Sequence, residues 1–471
     1  MSLFLDQPDD DGLPGAQRRQ AMVAVMTATA MAVIDGTVVN IALPSMATAF
    51  NVPAATTVWV ANGYLLAAAM TLMMFSALAT RIGFRALFVG GMGLFTLASL
   101  GCALAPSLDV LIAMRVLQGI GGAATLSIGP AIYRTVFPTR LLGRILGLNA
   151  LLVATSTAIG PAFGGTVLSL ASWPWLFAIN IPLGITACVL GQRAVPKQRS
   201  RSSTSFDVAG AVLSAVTMGA AILATEALSS VQSSNDAGLF ALVMLAAGAA
   251  FIWRQRRAPV PLLPLAIFRS SRFSLAALTS FTAFVSQGIA ILSLPFLFQN
   301  AYGYSVFASA LMFTAWPVGI ILAAPQAGRL ADRHPPAVLS TIGLSLLTLG
   351  LALLTFMGHH ASTVDILWRE CLCGIGFGFF QSPNNREMLA NVSRERSGSA
   401  SGVLAIARTF GQCLGAALVA VVLSLYLANA VGEHTVAELE ADAMYVALGA
   451  AALASALATC VSISRIRRSM A

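Results

Sequence analysis

Fourteen apolar segments follow one another along the chain, each long enough to cross a lipid bilayer as a helix, with short polar connections between them. They run near 21–45, 57–79, 86–105, 109–133, 141–170, 173–192, 207–229, 237–253, 273–299, 304–326, 337–357, 363–384, 399–428 and 441–464. A helix rises about 1.5 Å per residue, so about 20 residues cross ~30 Å of hydrocarbon. Backbone groups in that layer must satisfy one another, which leaves helices or closed barrels. Barrel strands would be about 10 residues long with alternating polarity, and these segments are neither. The fold class is therefore all-α integral membrane. Composition agrees: the chain of 471 residues is 57% hydrophobic and 10% charged, against about 25% charged in soluble proteins.

The net charge of +9 does not point to nucleic acid, because the basic residues lie in short blocks between apolar runs. Alternate connections carry Arg81 and Arg85; Arg134, Arg140 and Arg144; Arg193, Lys197, Arg199 and Arg201; Arg254 to Arg272; Arg329 and Arg333; Arg386, Arg394 and Arg396. Arg18 and Arg19 precede the first span, and Arg465, Arg467 and Arg468 follow the last. The other connections have no Lys or Arg. This positive-inside alternation places both termini in the cytoplasm and requires an even number of spans. One lysine against many arginines fits a GC-rich bacterium, so the reading is a multi-pass protein of a bacterial cytoplasmic (inner) membrane. Residues 1–20 hold Asp6, Asp9, Asp10 and Asp11 without an apolar core and read as a disordered cytoplasmic tail, not a cleavable signal. Linkers at 193–206 and 254–272 divide the rest into a six-helix bundle at 21–192, a helix pair at 207–253, and a second six-helix bundle at 273–464. A short tail, 465–471, follows.

The two bundles repeat weakly. Arg115 and Arg369 are each followed about one turn on by Gly-x-Gly, at Gly119 and Gly121 and at Gly374 and Gly376. This pairs Arg369 with Arg115, and such repeats are characteristic of transporters. Six charges lie inside spans: Asp35, Arg115, Glu226, Arg369, Glu370 and Arg408. A carboxylate at mid-depth costs on the order of 3 kcal/mol on insertion scales, so Asp35 is neutral, paired or facing water. Counting from the outer helix ends puts Asp35 about 14 Å and Arg115 about 9 Å deep. If their helices adjoin, the pair is either a proton site that changes affinity as access alternates, or a static pair that fixes packing.

Other features read in two ways. Gly160, Pro161, Gly164 and Gly165 clear one helix face and bend the helix, which suits a hinge or plain close packing. Arg81, Gly83 and Arg85, with Asp332 and Arg333 in the matching loop, satisfy the topology rule or form a cytoplasmic gate. Glu226 lies near an interface, where its charge costs little. Gln287, Phe296, Phe298, Gln299, Asn300, Tyr302 and Tyr304 suit a broad substrate site or an interfacial aromatic belt. Glu226, Gln287, Arg369 and Glu370 are candidate substrate or coupling residues. Cys371 and Cys373 diverge on a helix, so all six cysteines read as small apolar fillers and no metal is expected. No phosphate-binding loop ends at Lys197. The chain is read as no enzyme, with no cofactor, and any active transport is left to an ion gradient.

The segment Asp35-Gly36-Thr37-Val38-Val39-Asn40-Ile41-Ala42-Leu43-Pro44, with Trp59 and Tyr64, resembles the opening spans of the major facilitator superfamily, and within it the fourteen-span drug:proton antiporters of the EmrB/QacA type. Arg115 to Gly122 is similar to the superfamily's fourth-span motif, Gly160-Pro161 with Gly164-Gly165 to its antiporter motif, and Trp173 to Gly184 to the sixth-span signature of that group. The resemblance implies a major facilitator fold with 14 helices, two six-helix bundles plus two extra. It implies proton-coupled export of amphipathic organic compounds (drugs, toxins) by alternating access, with the proton gradient as energy source and Asp35 and Arg115 coupling the proton. A periplasmic adaptor and outer-membrane channel are candidate partners. Ser76, Thr80, Ser156 and Pro174 depart from the family pattern, and the loss of the acid at Thr80 weakens the expected gate. An exporter of one metabolite or siderophore, and a non-transporting membrane sensor, are the alternatives.

Overall fold

The computed structural model describes residues 2–4, 11–197, 206–228, 234–331, 333–358, 361–392, 397–428 and 436–470. Every regular element among them is helical. The first half comprises α1 (Gly15–Phe50), α2 (Ala54–Ile82), α3 (Phe84–Ala103), α4 (Leu108–Leu126), α5 (Gly129–Val136), α6 (Leu142–Leu170), α7 (Trp175–Ala178) and α8 (Asn180–Ala194). Next come α9 (Val208–Ala227) and α10 (Ser234–Arg257). The last group is α11 (Ser271–Phe296), α12 (Val306–Phe313), α13 (Ala315–Leu330), α14 (Pro336–Thr355), α15 (Thr363–Ala390), α16 (Ser397–Ala428) and α17 (Val436–Met470). By length and composition, 13 helical stretches can cross a membrane. α4 with α5, α7 with α8, and α12 with α13 each count as one. The remaining expected span is α15, 28 residues long, whose Asp365, Arg369, Glu370, Gln381, Asn384, Asn385, Arg386 and Glu387 make it too polar to count with the others.

The helix ends follow local chemistry. Hydroxyls of Ser107, Ser270, Ser305 and Ser362 accept the orphan N–H groups that open α4, α11, α12 and α15. Asn51, at φ 52°, ends α1 in the left-handed region before Pro53 turns the chain.

One neighbour scheme occurs twice. α1 lies against α6 and α8, α2 against α4, and α3 against α4 and α8. Likewise α11 lies against α16 and α17, α13 against α15, and α14 against α15 and α17. Backbones meet where side chains are absent: a Cβ on Gly121 would strike Phe95 N and Gly91 O, and one on Gly376 would strike Leu347 N and Gly343 O. The halves join along two seams, α2 with α16 and α6 with α12. A large apolar cluster unites them at the end away from the termini, with Val38, Leu43, Val58 and Phe177 from one half and Phe284, Phe298, Phe313 and Phe377 from the other. Toward the terminal end each half keeps its own cluster, one holding Phe88, Ile132 and Phe137 and the other Ile267, Phe273 and Met388. α9 lies on α2 and α16, and α10 on α9.

Two sequence readings change. The amino-terminal stretch is partly built into the fold: Leu3 is buried, Arg18 Nη1 donates to Leu3 O at 3.4 Å, and Leu13 N donates to Val136 O at 3.0 Å. Leu3 and Leu13 supply the apolar contacts that the four Asp residues obscured. α1 accordingly starts at Gly15, ahead of the expected position 21. At the other end α17 continues past the expected boundary at 464, because Arg465 is buried against α15. It pairs with Glu387 and donates to Asn384 Oδ1 at 2.7 Å. Asn384 in turn donates to Ser280 Oγ at 2.7 Å, which ties α15 and α17 to α11.

Asp207 caps α9 and holds α10. It accepts from Gly210 N at 3.0 Å, Arg254 Nε at 2.8 Å and Gln255 Nε2 at 2.8 Å. Burial opposes its charge, but those bonds and the Arg254 charge together hold the carboxyl below its usual range. A carboxyl so depressed stabilises the fold above its unfolded pKa, about 3.9, and loses that contribution as the pH falls through the folded value. Asp207→Asn is expected to unfold at lower temperature than wild type at pH 7 in detergent, with the gap narrowing below about pH 4. A gap that stays constant across that range would show that the charge contributes nothing.

Candidate functional site

Asp35 lies midway along α1, on the side facing α4 and α8. Two helices supply its partners. Arg115 of α4 forms an ion pair with Oδ2, and Oδ1 accepts from Gln118 Nε2 at 2.8 Å and Asn180 Nδ2 at 3.0 Å. Arg115 also donates to Gln118 Oε1 at 2.6 Å, and its Nε to Val60 O at 2.9 Å. Gln118 Nε2 reaches Ser99 Oγ at 2.9 Å, which brings in α3. The Arg115 guanidinium sits 4.5 Å from the Tyr64 ring centroid and 5.6 Å from that of Phe177. Asp35 is 4% exposed and Arg115 1%.

Local sequence explains the arrangement. Arg115 and Gln118 are three apart on α4, hence on one face. Gly119, one position further on, has no side chain to hold α2 away, so Tyr64 approaches closely. Asn180 opens α8, where the interruption after α7 lets it turn toward α1. Desolvating two charges costs several kcal/mol each. The charged hydrogen bonds return about 1.5–3 kcal/mol apiece. The two sums are comparable, so the network holds its charges only while all its donors are in place.

The structure thus unites Asp35 and Arg115. Gln118, Asn180 and Ser99 were not singled out from sequence, although an amide one turn from an intramembrane Arg was a readable signal. The glycine motif lies beside this site: a Cβ at Gly164 would come 3.0 Å from Val38 Cγ1 of α1, and one at Gly165 would strike Ala310 of α12 across the seam. Pro161 lies inside α6, as does Gly160, which faces Thr37.

Other expected residues lie apart. Arg81 stacks 5.1 Å from the Phe206 ring centroid, and Arg85 Nε donates to Val195 O at 2.5 Å. Gly83 turns the chain between α2 and α3 at φ 89°. Arg333 is exposed, and Asp332 lies outside the described residues. Glu226 accepts from Trp59 Nε1 at 2.6 Å, fastening α9 to α2. Gln287 accepts from Gln412 Nε2 at 3.0 Å. The aromatic and amide stretch forms part of the seal away from the termini: Phe296 and Phe298 are buried, Gln299 Nε2 donates to Ile41 O at 3.1 Å, and Tyr302 donates to Gly358 O at 2.8 Å.

The repeat register shifts by one. Gly119 closes on Tyr64 O, and Gly374 closes on Trp316 O in the equivalent crossing of α13 and α15. Counting back four residues from each glycine reaches Arg115 and Glu370, so Glu370 is the positional counterpart of Arg115. Arg369 instead turns toward α14, donating to Leu353 O, and pairs with Asp365 at 2.7 Å. Glu370 is fully buried, and neither of its carboxyl oxygens has a hydrogen-bond partner among the described residues.

Membrane-length helices in a duplicated scheme, meeting at two seams beside a buried acid–base network, define a membrane transporter. A model of the Major Facilitator Superfamily matches residues 25–416, and the chain belongs to that family. It is 42% identical over 457 residues, 97% of both chains, to the uncharacterized transporter YebQ of Escherichia coli. It is 31% identical to multidrug resistance protein Stp of Mycobacterium tuberculosis, over 88% of this chain and 78% of that one. It is 27% identical to riboflavin transporter RibZ of Clostridioides difficile, over 85% and 87%. A solved bacterial homolog of the human lysosomal transporter Spinster, in an inward-facing and unoccupied conformation, shares the fold at TM-score 0.71 with 15% identity, over 96% of this chain and 97% of that one.

Removing one member of a buried pair leaves an uncompensated charge. Arg115→Ala is expected to destabilise the detergent-solubilised protein by about 3–5 kcal/mol. The double variant Asp35→Asn with Arg115→Gln is expected to recover part of that loss, read as unfolding temperature. Equal or greater loss in the double variant would mean that the pair is not an energetic unit.

Proposed function

We propose that this transporter is a proton-driven antiporter that exports amphipathic organic compounds from the cytoplasm. The bundles 21–192 and 273–464 rock about the seams, and the pair 207–253 lies beside them. The observation that carries this reading is the Asp35 network. Its carboxylate is held by donors from α4 and α8, so a shift of either helix removes part of what stabilises its charge and makes proton binding competitive. Reversal of that shift expels the proton. A protonated Asp35 no longer attracts Arg115, so proton state and helix position are linked, as antiport requires.

Gly160, Pro161, Gly164 and Gly165 form the hinge in this scheme, since Gly164 adjoins α1 and Gly165 adjoins the opposite half. Arg81, Gly83 and Arg85, with Asp332 and Arg333, line the cytoplasmic gate. The fold is oriented with both termini in the cytoplasm of a bacterial inner membrane. Export of drugs is supported by the name of the relative Stp. The name of RibZ favours a second reading, a carrier of one metabolite on the same proton cycle.

The test is ethidium accumulation in everted vesicles energised by respiration, comparing wild type with Asp35→Asn. Uptake that a protonophore abolishes, and that falls at least tenfold in the variant, is the expected result. Uptake preserved in Asp35→Asn would move the coupling site elsewhere, with Glu370 and then Glu226 next. A folded, membrane-inserted wild type that moves no ethidium would favour the single-metabolite reading.

A further inference from the structure

Arg408 lies within α16 in the seam with α2, and its setting differs from that of the other arginines inside the spans. Arg115 faces Asp35, Arg369 faces Asp365, and Arg465 faces Glu387. Arg408 has no hydrogen bond or ion pair with any described residue. Its surroundings are bracketed by neighbours along α16. Ala405 packs against the cluster of Ala68, Leu72 and Ala123, and Cys413 Sγ lies 3.9 Å from Asn62 O of α2. Arg408 falls between these two anchor points. Gln412, one turn on, bonds to Gln287 of α11.

The charge of Arg408 acts on Tyr64, as do those of Asp35 and Arg115. Arg115 sits 4.5 Å from the Tyr64 ring centroid, so the paired arginine and Arg408 share Tyr64 as a neighbour. Arg408 is partly exposed, and its guanidinium has no protein partner among the described residues.

We propose that Arg408 is the cargo-binding cation of this transporter and that the preferred cargo is an amphipathic organic anion, a molecule with a carboxylate or similar group on an aromatic or aliphatic body, with cations such as ethidium carried less well; this rests on the exporter reading above. A guanidinium offers a planar fork of donors that fits a carboxylate in two-point contact. Gln287 and Gln412, bonded to each other, supply neutral polar groups one turn away, and Phe281 stacked on Phe410 at 6.0 Å supplies an apolar wall on the same stretch of α16 and α11. An arginine at this point favours an anionic over a cationic cargo, so the position sets a preference as well as binding.

The probes are fluorescein, an aromatic anion, and ethidium, an aromatic cation. Purified protein in an uncharged detergent is titrated with fluorescein, with binding followed by anisotropy. The same protein in proteoliposomes is assayed for movement of each dye under an imposed pH gradient. Wild type is expected to bind fluorescein, and Arg408→Gln to weaken that binding at least tenfold. Arg408→Lys, which keeps the charge without the fork, is expected to fall between them. In proteoliposomes the ratio of fluorescein to ethidium flux is expected to drop at least tenfold in Arg408→Gln.

Saturable fluorescein binding lost in Arg408→Gln, without movement of either dye, would sustain the anion site and count against the exporter reading. Proton-driven ethidium movement by a wild type that does not bind fluorescein would overturn the anion site and leave the exporter reading standing. An unchanged flux ratio in a folded Arg408→Gln would likewise overturn it, as would equal binding by wild type and Arg408→Gln. Should Arg408→Gln not fold, wild-type affinity in Arg408→Lys overturns it too, since loss of the fork must weaken two-point contact.

Discussion

A carboxylate in the middle of a membrane helix must be answered by its neighbours, and Asp35 is answered from three directions. Arg115, Gln118 and Asn180 come from two helices that otherwise meet α1 only through apolar contacts, and Ser99 extends the network to a third. These donors set how α1, α3, α4 and α8 are rotated about their axes, because a turn of any one helix would strand a polar group in an apolar interior. The packing of the first half therefore depends on chemistry at one point as well as on shape.

The second half reaches the same packing without that chemistry. Gly374 and Gly376 bring α15 against α13 and α14 just as Gly119 and Gly121 bring α4 against α2 and α3. At the place of Arg115, however, stands Glu370, with no partner among the described residues. The polar anchor of this half has moved to its terminal end, where Arg465, Glu387, Asn384 and Ser280 link α17, α15 and α11. The duplicated architecture thus persists through backbone contact at small residues, while the charges are free to diverge. One half is pinned at mid-depth and the other at one end.

Much of this was readable beforehand. The bilayer imposes a length on each apolar run, so the overall class follows from patterns that need no tertiary information, and 13 of the fourteen expected spans stand as membrane-length helices among the described residues. Asp35 and Arg115 stood out because charges inside spans are rare. Gln118 and Asn180 did not, since an amide in a span is common helix glue and its partner is decided only by packing. The pairing of Arg369 with Arg115 matched residue types, whereas the glycine contacts align Arg115 with Glu370. Arg465 read as part of a basic tail because its partner Glu387 lies 78 residues away. α15 was counted as a span on its length, and its polar residues are what set it apart from the other 13.

α9 has two unlike sides. Toward α2 it is tied by the hydrogen bond from Trp59 to Glu226, and toward α10 by Asp207 with Arg254 and Gln255. Toward α16 it offers Ile222 against Cys413 and Ala417, an apolar contact. In the proposed rocking of the halves, the tied sides travel together, and the greasy face is the one able to slip. The accessory pair then behaves as freight fixed to the first half, with α16 gliding along it as along a rail. A lubricated contact of this kind closes the flank of the seam against lipid without adding a bond that each cycle would have to break.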